Sequence, residues 1–472
     1  MDFAEEPKPA GRLGARHLVM FLLFLSTSIA YATRVSMSMA IVAMTDPALA
    51  GDHPAFPWTQ GQKDLILSSF FWGYVVLQIP GGVLAGRWGG RWPLLGAMLV
   101  NGLVNIAVPL AATRGGWGAV VGCRVLMGLA QGLVFPSVHG ILGQWAPAAE
   151  RGRLGTAVYA GSLLGTIVEL VLAGALADSG WGWPSVFYLA AAGSLLWALA
   201  WALLGASSPT DSRFVSAAER DYIQASTGAA DIDKKLPIPW KKIWTSLPFW
   251  SILIAHSGQS LGFWTLLTEI PTYMKHVLGA DMKQNGLLSA LPYAAMYLLS
   301  FVFSWAADRI NNRGILRLGT SRKLFNTIAL WGPAAALLVL SYLPPGRLAL
   351  AVGALTLTVG LNGAHYVGFL ISHIDIAPNY ASTLMGITNG CGNVFSILAP
   401  LSVSAVVRDE SSAAEWRKVF FISVAFYFLA NLFYLLFASG EVQSWNEPAA
   451  VTSIENGNTS KSRRKSVKGE AP

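Results

Sequence analysis

The sequence predicts an all-α membrane protein with twelve transmembrane helices arranged in two halves of six. Hydrophobic residues make up 53% of the 472 residues and charged residues only 12%, whereas roughly 25% of the residues of a soluble protein are charged. The apolar residues also come in long blocks of about twenty, which is the length that crosses a bilayer core of roughly 30 Å. Lipid is therefore expected to be the main solvent of this chain.

Six apolar blocks occupy the first half of the chain, residues 17–205. The polar segment 1–16 precedes them and lacks the small-residue cleavage pattern of a signal peptide, so we expect it to stay as a cytosolic tail. The predicted spans are 17–44, 63–86, 91–112, 117–142, 153–177 and 183–205.

A polar segment at 206–246, rich in Ser, Asp, Lys and Pro, separates the two halves. Within it, Ser216 precedes Ala-Ala-Glu-Arg-Asp, which is typical of a capped surface helix rather than of a span. We interpret 206–246 as a cytosolic linker.

Six further blocks form the second half, residues 247–439, and a basic tail follows at 440–472. This tail is expected to be solvated, although its basic residues suit contact with anionic lipid. The predicted spans are 247–275, 284–306, 321–343, 347–370, 380–407 and 416–439.

The distribution of Lys and Arg gives the orientation, because these residues accumulate in cytoplasmic loops. With the N-terminus inside, 23 of them fall on the cytosolic side and 8 on the other side. Both tails and the linker are therefore predicted to be cytosolic.

The two halves share a weak repeat. Gly82, Arg87 and Arg91 follow span two, and Asp308 and Arg309 follow span eight, so both groups lie at the cytosolic end of the second helix of a half. We interpret them as loop or gating residues. In proteins built from two such repeats, a substrate site lies at the interface of the halves near the membrane midplane.

Several stretches then carry a family resemblance. In chain order they are Tyr31-Ala-Thr-Arg-Val, Phe70-Phe-Trp-Gly-Tyr, Gln144-Trp-Ala-Pro, Leu266-Leu-Thr-Glu, Asn285-Gly-Leu-Leu and His373-Ile-Asp-Ile-Ala-Pro. With these stretches the chain resembles the major facilitator superfamily, and within it the anion-transporting branch of sialin, the vesicular glutamate transporters and the type I sodium–phosphate cotransporters.

This resemblance implies the major facilitator fold and alternating-access transport of a small anion such as phosphate, urate or a carboxylate, with a coupling ion and no cofactor. The chain has Met127 and Gln131 at the two span-four positions where the proton-coupled members of the similar branch have glutamates. It also has Leu67 and Gln259 where vesicular glutamate transporters carry a histidine and an arginine. It is thus most similar to insect inorganic phosphate cotransporters. We expect a sodium gradient or the membrane potential to drive transport, and a proton-coupled, sialin-like exporter is the alternative.

Two arginines lie within predicted spans. Arg34 and Arg124 fall in the outer half of the membrane at similar depth. An arginine there costs about 2.5–3.5 kcal/mol even on the lenient insertion scale, so each should face a wet cavity or an acid. A guanidinium suits an anionic substrate, with Arg124 expected as the anchor and Arg34 assisting. The alternative is an ion pair that locks helices together, with Glu169 as the available acid.

The second half supplies further polar candidates, none of which is an arginine or a lysine. Glu269, His365 and Asn389 are candidates for the substrate site, although asparagines also join helices by hydrogen bonds. His139 and His256 could titrate near neutral pH, although buried histidines more often serve packing.

Other functional classes find little support in the sequence. It contains no Walker loop, Gly-x-Ser-x-Gly elbow or His-Glu-x-x-His motif, so neither ATP hydrolysis nor an intramembrane enzyme is predicted. Cys123 and Cys391 lack metal-ligand spacing, and the net charge of +8 reflects topology rather than nucleic-acid binding. The arginines argue against a cation exporter, whereas a receptor without transport stays open. No obligate protein partner is evident, and the N-terminal tail lacks an acidic dileucine signal, which favours the plasma membrane.

Overall fold

The structure, a computed structural model, describes residues 14–446 apart from 46, 48, 49, 51, 178, 228–236, 279–281, 344–346 and 410. Most of the predicted tails, residues 1–13 and 447–472, and residues 228–236 of the linker therefore lie outside the described residues.

The described chain is built from helices. The first half contains α1 (Ala15–Thr45), α2 (Gln60–Val76), α3 (Gln78–Trp88), α4 (Arg91–Gln131), α5 (Val134–Trp145), α6 (Arg151–Ala177) and α7 (Gly182–Leu204). The linker contains α8 (Ala217–Thr227) and the short α9 (Trp240–Trp244). The second half contains α10 (Leu247–His276), α11 (Met282–Asn312), α12 (Leu318–Ser341), α13 (Leu348–Asn362), α14 (Phe369–Ile376), α15 (Ala381–Val406) and α16 (Ala413–Phe437), with 3-10 turns at Gly363–Tyr366 and Pro378–Tyr380.

Each predicted span falls on one helix or on consecutive helices separated by a short break. Seven helical stretches of the described chain are long and apolar enough to cross a membrane, and the bent pair α2–α3 is an eighth. One of the seven, Arg91–Trp145, contains two predicted spans. The remaining three spans fall on α10, α11 and α15, which are 30, 31 and 26 residues long.

The long helix α4 folds back on itself at Gly116. Gln131 Nε2 donates to Asn101 Oδ1 over 3.2 Å, yet residues thirty apart in a straight helix would be about 45 Å apart. Gly116, midway between them, has φ 64° and ψ −162°, a conformation that glycine adopts without a steric penalty. Spans three and four are thus joined by this tight reversal.

Span two is bent by 44° between α2 and α3. The break is at Leu77, three residues before Pro80. Proline lacks the N–H that would bond to the carbonyl four residues earlier, and its ring clashes with that carbonyl. The proline therefore accounts for the bend, whereas the following glycines serve the packing described below.

Span ten is broken as well, and its predicted end at residue 370 is too early. After α13 the chain forms the turn Gly363–Tyr366 and then continues as α14 to Ile376. The hydropathy pattern ended this span at the first polar residues, Ser372 and His373, but both are buried in the bundle. Asp375, which follows these residues on α14, is therefore also buried inside the bundle.

The linker helix α8 marks one end of the bundle, which we name the linker side. Ser216 Oγ accepts the N–H of Glu219, as the predicted cap requires. The Glu219 carboxylate in turn accepts the N–H groups of Ala15 and Arg16 at 2.9 and 3.2 Å. The start of α1 is therefore fixed to the linker, and the opposite end is named the far side.

The outer surface of the bundle is apolar. On α7, for example, Leu196, Leu199 and Leu203 are each between 60 and 68% exposed. These residues follow one another at helical spacing and form an apolar stripe that water would disfavour. The chain is thus an integral, multi-pass membrane protein whose stripe faces lipid.

Candidate functional site

A cavity of about 460 Å³ lies between the two halves. Helices α1, α2, α5 and α6 line it from one half, and α10, α11, α14, α15 and the turn Gly363–Tyr366 line it from the other. Arg34 is the one arginine or lysine among its described lining residues. Eight of the lining side chains are aromatic: Tyr31, Tyr74, Phe135, Tyr159, Phe263, Trp264, Tyr293 and Tyr366.

Arg34 is held by aromatic rings rather than by an acid. Its guanidinium carbon lies 4.4, 4.7 and 4.5 Å from the ring centroids of Tyr31, Phe70 and Tyr74. Its Nη2 donates to Gln131 Oε1 over a long 3.4 Å, and its Nε has no hydrogen-bond partner. Ring faces stabilise a cation without neutralising it, so the charge of Arg34 remains available to an anion in the cavity.

Arg124 is not among the residues that line the cavity. Both of its terminal nitrogens donate to the carbonyl oxygen of Arg34 at 3.4 Å, and its side chain is 3% exposed. The Phe70 ring packs against its guanidinium, with the ring centroid 5.0 Å from the guanidinium carbon, so Arg124 does not face the cavity in this conformation. Its geometry is that of a residue that positions Arg34, and Arg34 rather than Arg124 is the arginine that faces the cavity in this conformation.

Gln131 joins α1 to α4 by hydrogen bonds, at a position where the resemblance implied a glutamate. Its Nε2 donates to the carbonyl oxygen of Ala30 at 2.9 Å and to Thr33 Oγ1 at 2.8 Å. The same amide joins Asn101, as described above. Because an amide is neutral, it joins the helices and leaves the arginine charges uncompensated.

Glu169 is close to the level of Arg34 but does not pair with it. On the parallel neighbours α1 and α6, Gly165 lies against Ser28 and Gly174 against Met39. Glu169, which lies between these two glycines, is 5% exposed. Among the described residues, no ion pair within 4.0 Å joins Glu169 to either Arg34 or Arg124, so the helix-locking pair is not formed in this conformation.

The second half contributes amides and a histidine. Asn389 Nδ2 donates to Tyr74 Oη at 3.1 Å and to Gln78 Oε1 at 2.9 Å, which joins the two halves across the cavity wall. His365 lines the cavity, and its Nδ1 donates to the carbonyl oxygen of Asn362 at 2.8 Å. Glu269 belongs to α10, but its side chain lies outside the described part of the structure.

The cavity has a closed floor on the linker side, where the halves meet. Asp375 of α14 bonds to Arg151 of α6 at 2.9 Å and to Arg322 of α12 at 2.7 Å. All three side chains are at most 7% exposed. Asp375 thus receives a cation from each half. The stretch that contains Asp375 carried part of the family resemblance, but the pairing of Asp375 with Arg151, 224 positions away, is visible only in the fold.

Two of the predicted gating residues also belong to this floor. Asp308 Oδ2 accepts the N–H of Arg153 at 2.9 Å, so a carboxylate of the second half caps the start of α6. A side chain at Gly82 would come within 2.6 Å of the carbonyl oxygen of Ser382, which shows how closely α3 approaches α15.

The other three gating candidates lie elsewhere. Arg91 Nη2 donates to the carbonyl oxygen of Ala202 at 2.8 Å and anchors the end of α7 within the first half. Arg87 and Arg309 are exposed, and Arg309 lies over the Trp305 ring at 5.6 Å. Their positions in the repeat suggested a shared gating role, but among the described residues no hydrogen bond or ion pair of these three side chains joins the halves.

The structure brings together histidines that the sequence left apart. His139 and His373, from opposite halves, have ring centroids 5.1 Å apart, and His256 lies 6.4 Å from His373. His256 lines the cavity, whereas the other two are fully buried in the floor. The sequence offered His139 and His256 separately and gave no role to His373.

Comparison with known proteins agrees with this architecture. The family model described as Major Facilitator Superfamily matches residues 17–400. A Drosophila melanogaster protein named "Putative inorganic phosphate cotransporter" is 40% identical over 94% of this chain and 88% of its own. Vesicular glutamate transporter 2 of Homo sapiens is 34% identical over 92% of this chain and 76% of its own.

Solved structures show the same fold. The proton:xylose symporter XylE superposes with a TM-score of 0.70 over 90% of this chain and 97% of its own, at 15% identity. A bacterial homologue of the iron transporter ferroportin, in an outward-facing state, superposes with a TM-score of 0.64 over 90% and 99%, at 14–15% identity.

Proposed function

The chain belongs to the major facilitator superfamily, and from this premise we propose that it transports a small organic anion by alternating access between its two halves. One observation carries the proposal. Arg34 presents an uncompensated guanidinium to a cavity of about 460 Å³ at the interface of the halves. A fixed cation at such a site attracts an anion and offers it a planar set of donors.

The lining favours an organic anion over inorganic phosphate. A phosphate carries up to two charges on a small body and needs several donors around it. Here one cationic side chain faces a space lined by eight aromatic rings among the described residues. Aromatic walls bury apolar surface, so a monocarboxylate or urate-like anion with a planar body fits them better. Phosphate and glutamate, which appear in the names of the similar proteins, are the competing substrates.

The closed floor supports alternating access. The Asp375 ion pairs and the approach of α3 to α15 join the halves on the linker side. Breaking these contacts would open the cavity to that side, which the Lys and Arg distribution predicts to be the cytosol. The contacts of Asn389 with Tyr74 and Gln78 would rearrange in the same movement.

The driving force follows from the charge of the substrate. Moving one charge across 100 mV changes the free energy by about 2.3 kcal/mol. An inside-negative potential therefore drives export of an anion, whereas import needs an accompanying cation. Because Met127 and Gln131 carry no carboxylate, we favour sodium over a span-four proton relay for that cation.

The membrane that holds the protein is a separate question. The missing dileucine signal favours the plasma membrane, whereas the name of the vesicular glutamate transporters points to vesicles. Fractionation of cells that express the full chain, with markers for both membranes, distinguishes them. We expect co-migration with the plasma-membrane marker, and co-migration with vesicles would reject it.

Flux into proteoliposomes tests the transport proposal. Purified protein is reconstituted and offered labelled phosphate, urate, sialate, glutamate and an aromatic monocarboxylate, with and without sodium and at set voltages. We expect urate or the aromatic monocarboxylate to accumulate above empty vesicles, with phosphate at the background. Binding without flux for every compound would indicate a receptor and reject transport.

A further inference from the structure

The floor of the cavity contains a chain of hydrogen bonds between buried histidines. His373 Nδ1 lies 2.9 Å from the carbonyl oxygen of Leu370, which can only accept, so Nδ1 carries the proton. His373 Nε2 is then the acceptor in the neutral ring, and Thr388 Oγ1 donates to it at 2.7 Å. Thr388 has one hydroxyl hydrogen, and the 2.7 Å bond to His373 takes it in preference to the 3.5 Å contact with the carbonyl oxygen of Met385. His256 Nδ1 therefore donates to Thr388 Oγ1, 3.2 Å away.

This order of bonds gives a proton a path from the cavity to the floor. His256 lines the cavity, and with Nδ1 protonated its Nε2 is free to accept a further proton. The charged ring can then pass its Nδ1 proton to Thr388 Oγ1 while the hydroxyl gives its own proton to His373 Nε2. The proton count is unchanged, and the positive charge has moved from His256 to His373.

A proton on His373 would act against the closed floor. The His373 ring contacts His139 of the other half, whose Nδ1 is bonded to the Tyr159 hydroxyl and whose Nε2 is buried without a hydrogen-bond partner. Both histidines are fully buried. A charge placed there without water or an acid is disfavoured by desolvation.

The surrounding charges strengthen this effect. Asp375, the carboxylate on α14, is already bonded to Arg151 and Arg322. These three side chains together therefore keep a net positive charge. The titratable and charged groups on the elements around the chain of bonds are His139 of α5, Arg151 and Tyr159 of α6, Arg322 of α12, His365 and Tyr366 of the 3-10 turn, Asp375 of α14 and Tyr434 of α16.

We propose that His256, Thr388 and His373 form a proton relay, and that a proton delivered to His373 releases the contact between the halves on the linker side. A proton that binds the open floor more tightly than the closed one must shift the equilibrium toward the open state. Acid in the cavity therefore opens the gate. This role is separate from the substrate contact of Arg34, and only the uptake measurement below rests on the proposed transport function.

Cysteine labelling reads the gate without any substrate. Ser382 is 3% exposed and packs against Gly82 in the closed floor, so Ser382→Cys becomes reactive when the floor opens. The two native cysteines are first replaced by serine. Labelling is expressed relative to an exposed linker cysteine, Ser216→Cys, which corrects for the effect of pH on thiol chemistry. Lowering the pH from about 7.5 to about 5.5 should raise this ratio at least about fivefold.

Variants of the relay then identify the route. Thr388→Val removes the hydroxyl at nearly constant volume, and His373→Gln removes the titrating group, so both should abolish the rise. Thr388→Ser keeps the hydroxyl and should restore it. His53→Gln, a far-side histidine bonded to the carbonyl oxygen of Trp181, is the matched control and should keep the wild-type response.

Two results would overturn the proposal: labelling that does not change with pH in the wild type, or a full rise in Thr388→Val. Size-exclusion profiles show whether each variant is folded. Uptake of the best organic anion gives an independent readout, since acid on the cavity side should accelerate it in the wild type and Thr388→Ser but not in Thr388→Val. A pH-dependent gate in a protein without flux would reject the transport function and leave the relay standing.

Discussion

At the scale of single residues, the two membrane arginines differ in what surrounds them. Arg34 lies among three aromatic rings on the cavity wall, and Arg124 donates to the backbone of α1 behind it. Neither forms an ion pair among the described residues. The charge density of this region is thus positive, and an anion entering the cavity would compensate it.

A double replacement tests whether Glu169 is the hidden partner of Arg124. Because no ion pair joins them in the structure, we expect Arg124→Ala to lower uptake about 2- to 10-fold, the loss expected for modest hydrogen bonds. Adding Glu169→Ala should not restore it, and the two effects should be additive. Surface expression and uptake are measured for both single variants and for the double variant. Full transport by the double variant would contradict this and support a helix-locking pair.

At the scale of helices, closure of the floor depends on the close approach of α3 to α15 and on the ion pairs of α14. Glycine at position 82 leaves room for the Ser382 carbonyl oxygen, and the two arginines neutralise Asp375 in the buried floor. Both features hold the halves together at the same end of the bundle. A change in either should shift the equilibrium toward the linker-side-open state.

Gly82→Ala should favour that open state. The added methyl group would lie 2.6 Å from the Ser382 carbonyl oxygen, and overpacking of this kind costs about 1–3 kcal/mol. Gly96→Ala is the matched control, because nothing lies within 4 Å of the added atom. Reactivity of a buried floor cysteine, such as Ala381→Cys, should rise in Gly82→Ala and stay low in Gly96→Ala. Equal reactivity in both variants would reject the role of Gly82.

Asp375→Asn should weaken the floor more strongly. It leaves Arg151 and Arg322 buried without their carboxylate, and breaking a buried pair costs about 3–5 kcal/mol. We expect a lower yield of folded protein and high reactivity of the floor cysteine in what remains. Asp211→Asn in the exposed part of the linker serves as the control for loss of one carboxylate. An unchanged melting temperature and a closed floor in Asp375→Asn would count against the ion-pair lock.

The helices also show how far the sequence could lead. Apolar length predicted twelve spans, and each of them falls on helical chain in the structure, because a helix is the simplest way to satisfy the backbone in lipid. The breaks at Leu77 and after Asn362 were missed, since hydropathy averages over a whole span. The contact of Asp375 with Arg151 was missed for another reason. It joins residues distant in sequence, and polar residues at a span end resemble a loop until the neighbouring half covers them.

At the scale of the whole molecule, the fold divides the polar groups between two places. Arg34 and the amides lie along the cavity, and the ion pairs and histidines lie in the floor. This separation lets one site hold a substrate while the other controls access to the linker side. Such control of access requires that the linker side face one defined compartment.

Labelling of the linker tests that orientation. With 23 Lys and Arg on one side against 8 on the other, the linker should be cytosolic. Ala225 is exposed on α8, so an Ala225→Cys variant should react with an impermeant reagent only after the cells are permeabilised. A cysteine at the exposed far-side residue Arg114 should react in intact cells. Labelling of position 225 in intact cells would invert the topology.

The most direct measurement is uptake of the best organic anion from the panel into proteoliposomes of the wild type and of Arg34 variants at equal protein content. Arg34→Ala removes the cavity's cation and should lower uptake about 10- to 100-fold, which corresponds to the roughly 1.5–3 kcal/mol of a hydrogen bond to a charged group. Arg34→Lys keeps the charge without the planar donors and should give an intermediate rate. The exposed Arg114→Ala variant should match the wild type. Uptake by Arg34→Ala equal to that of the wild type would contradict the role of Arg34 as the cation that binds the substrate anion.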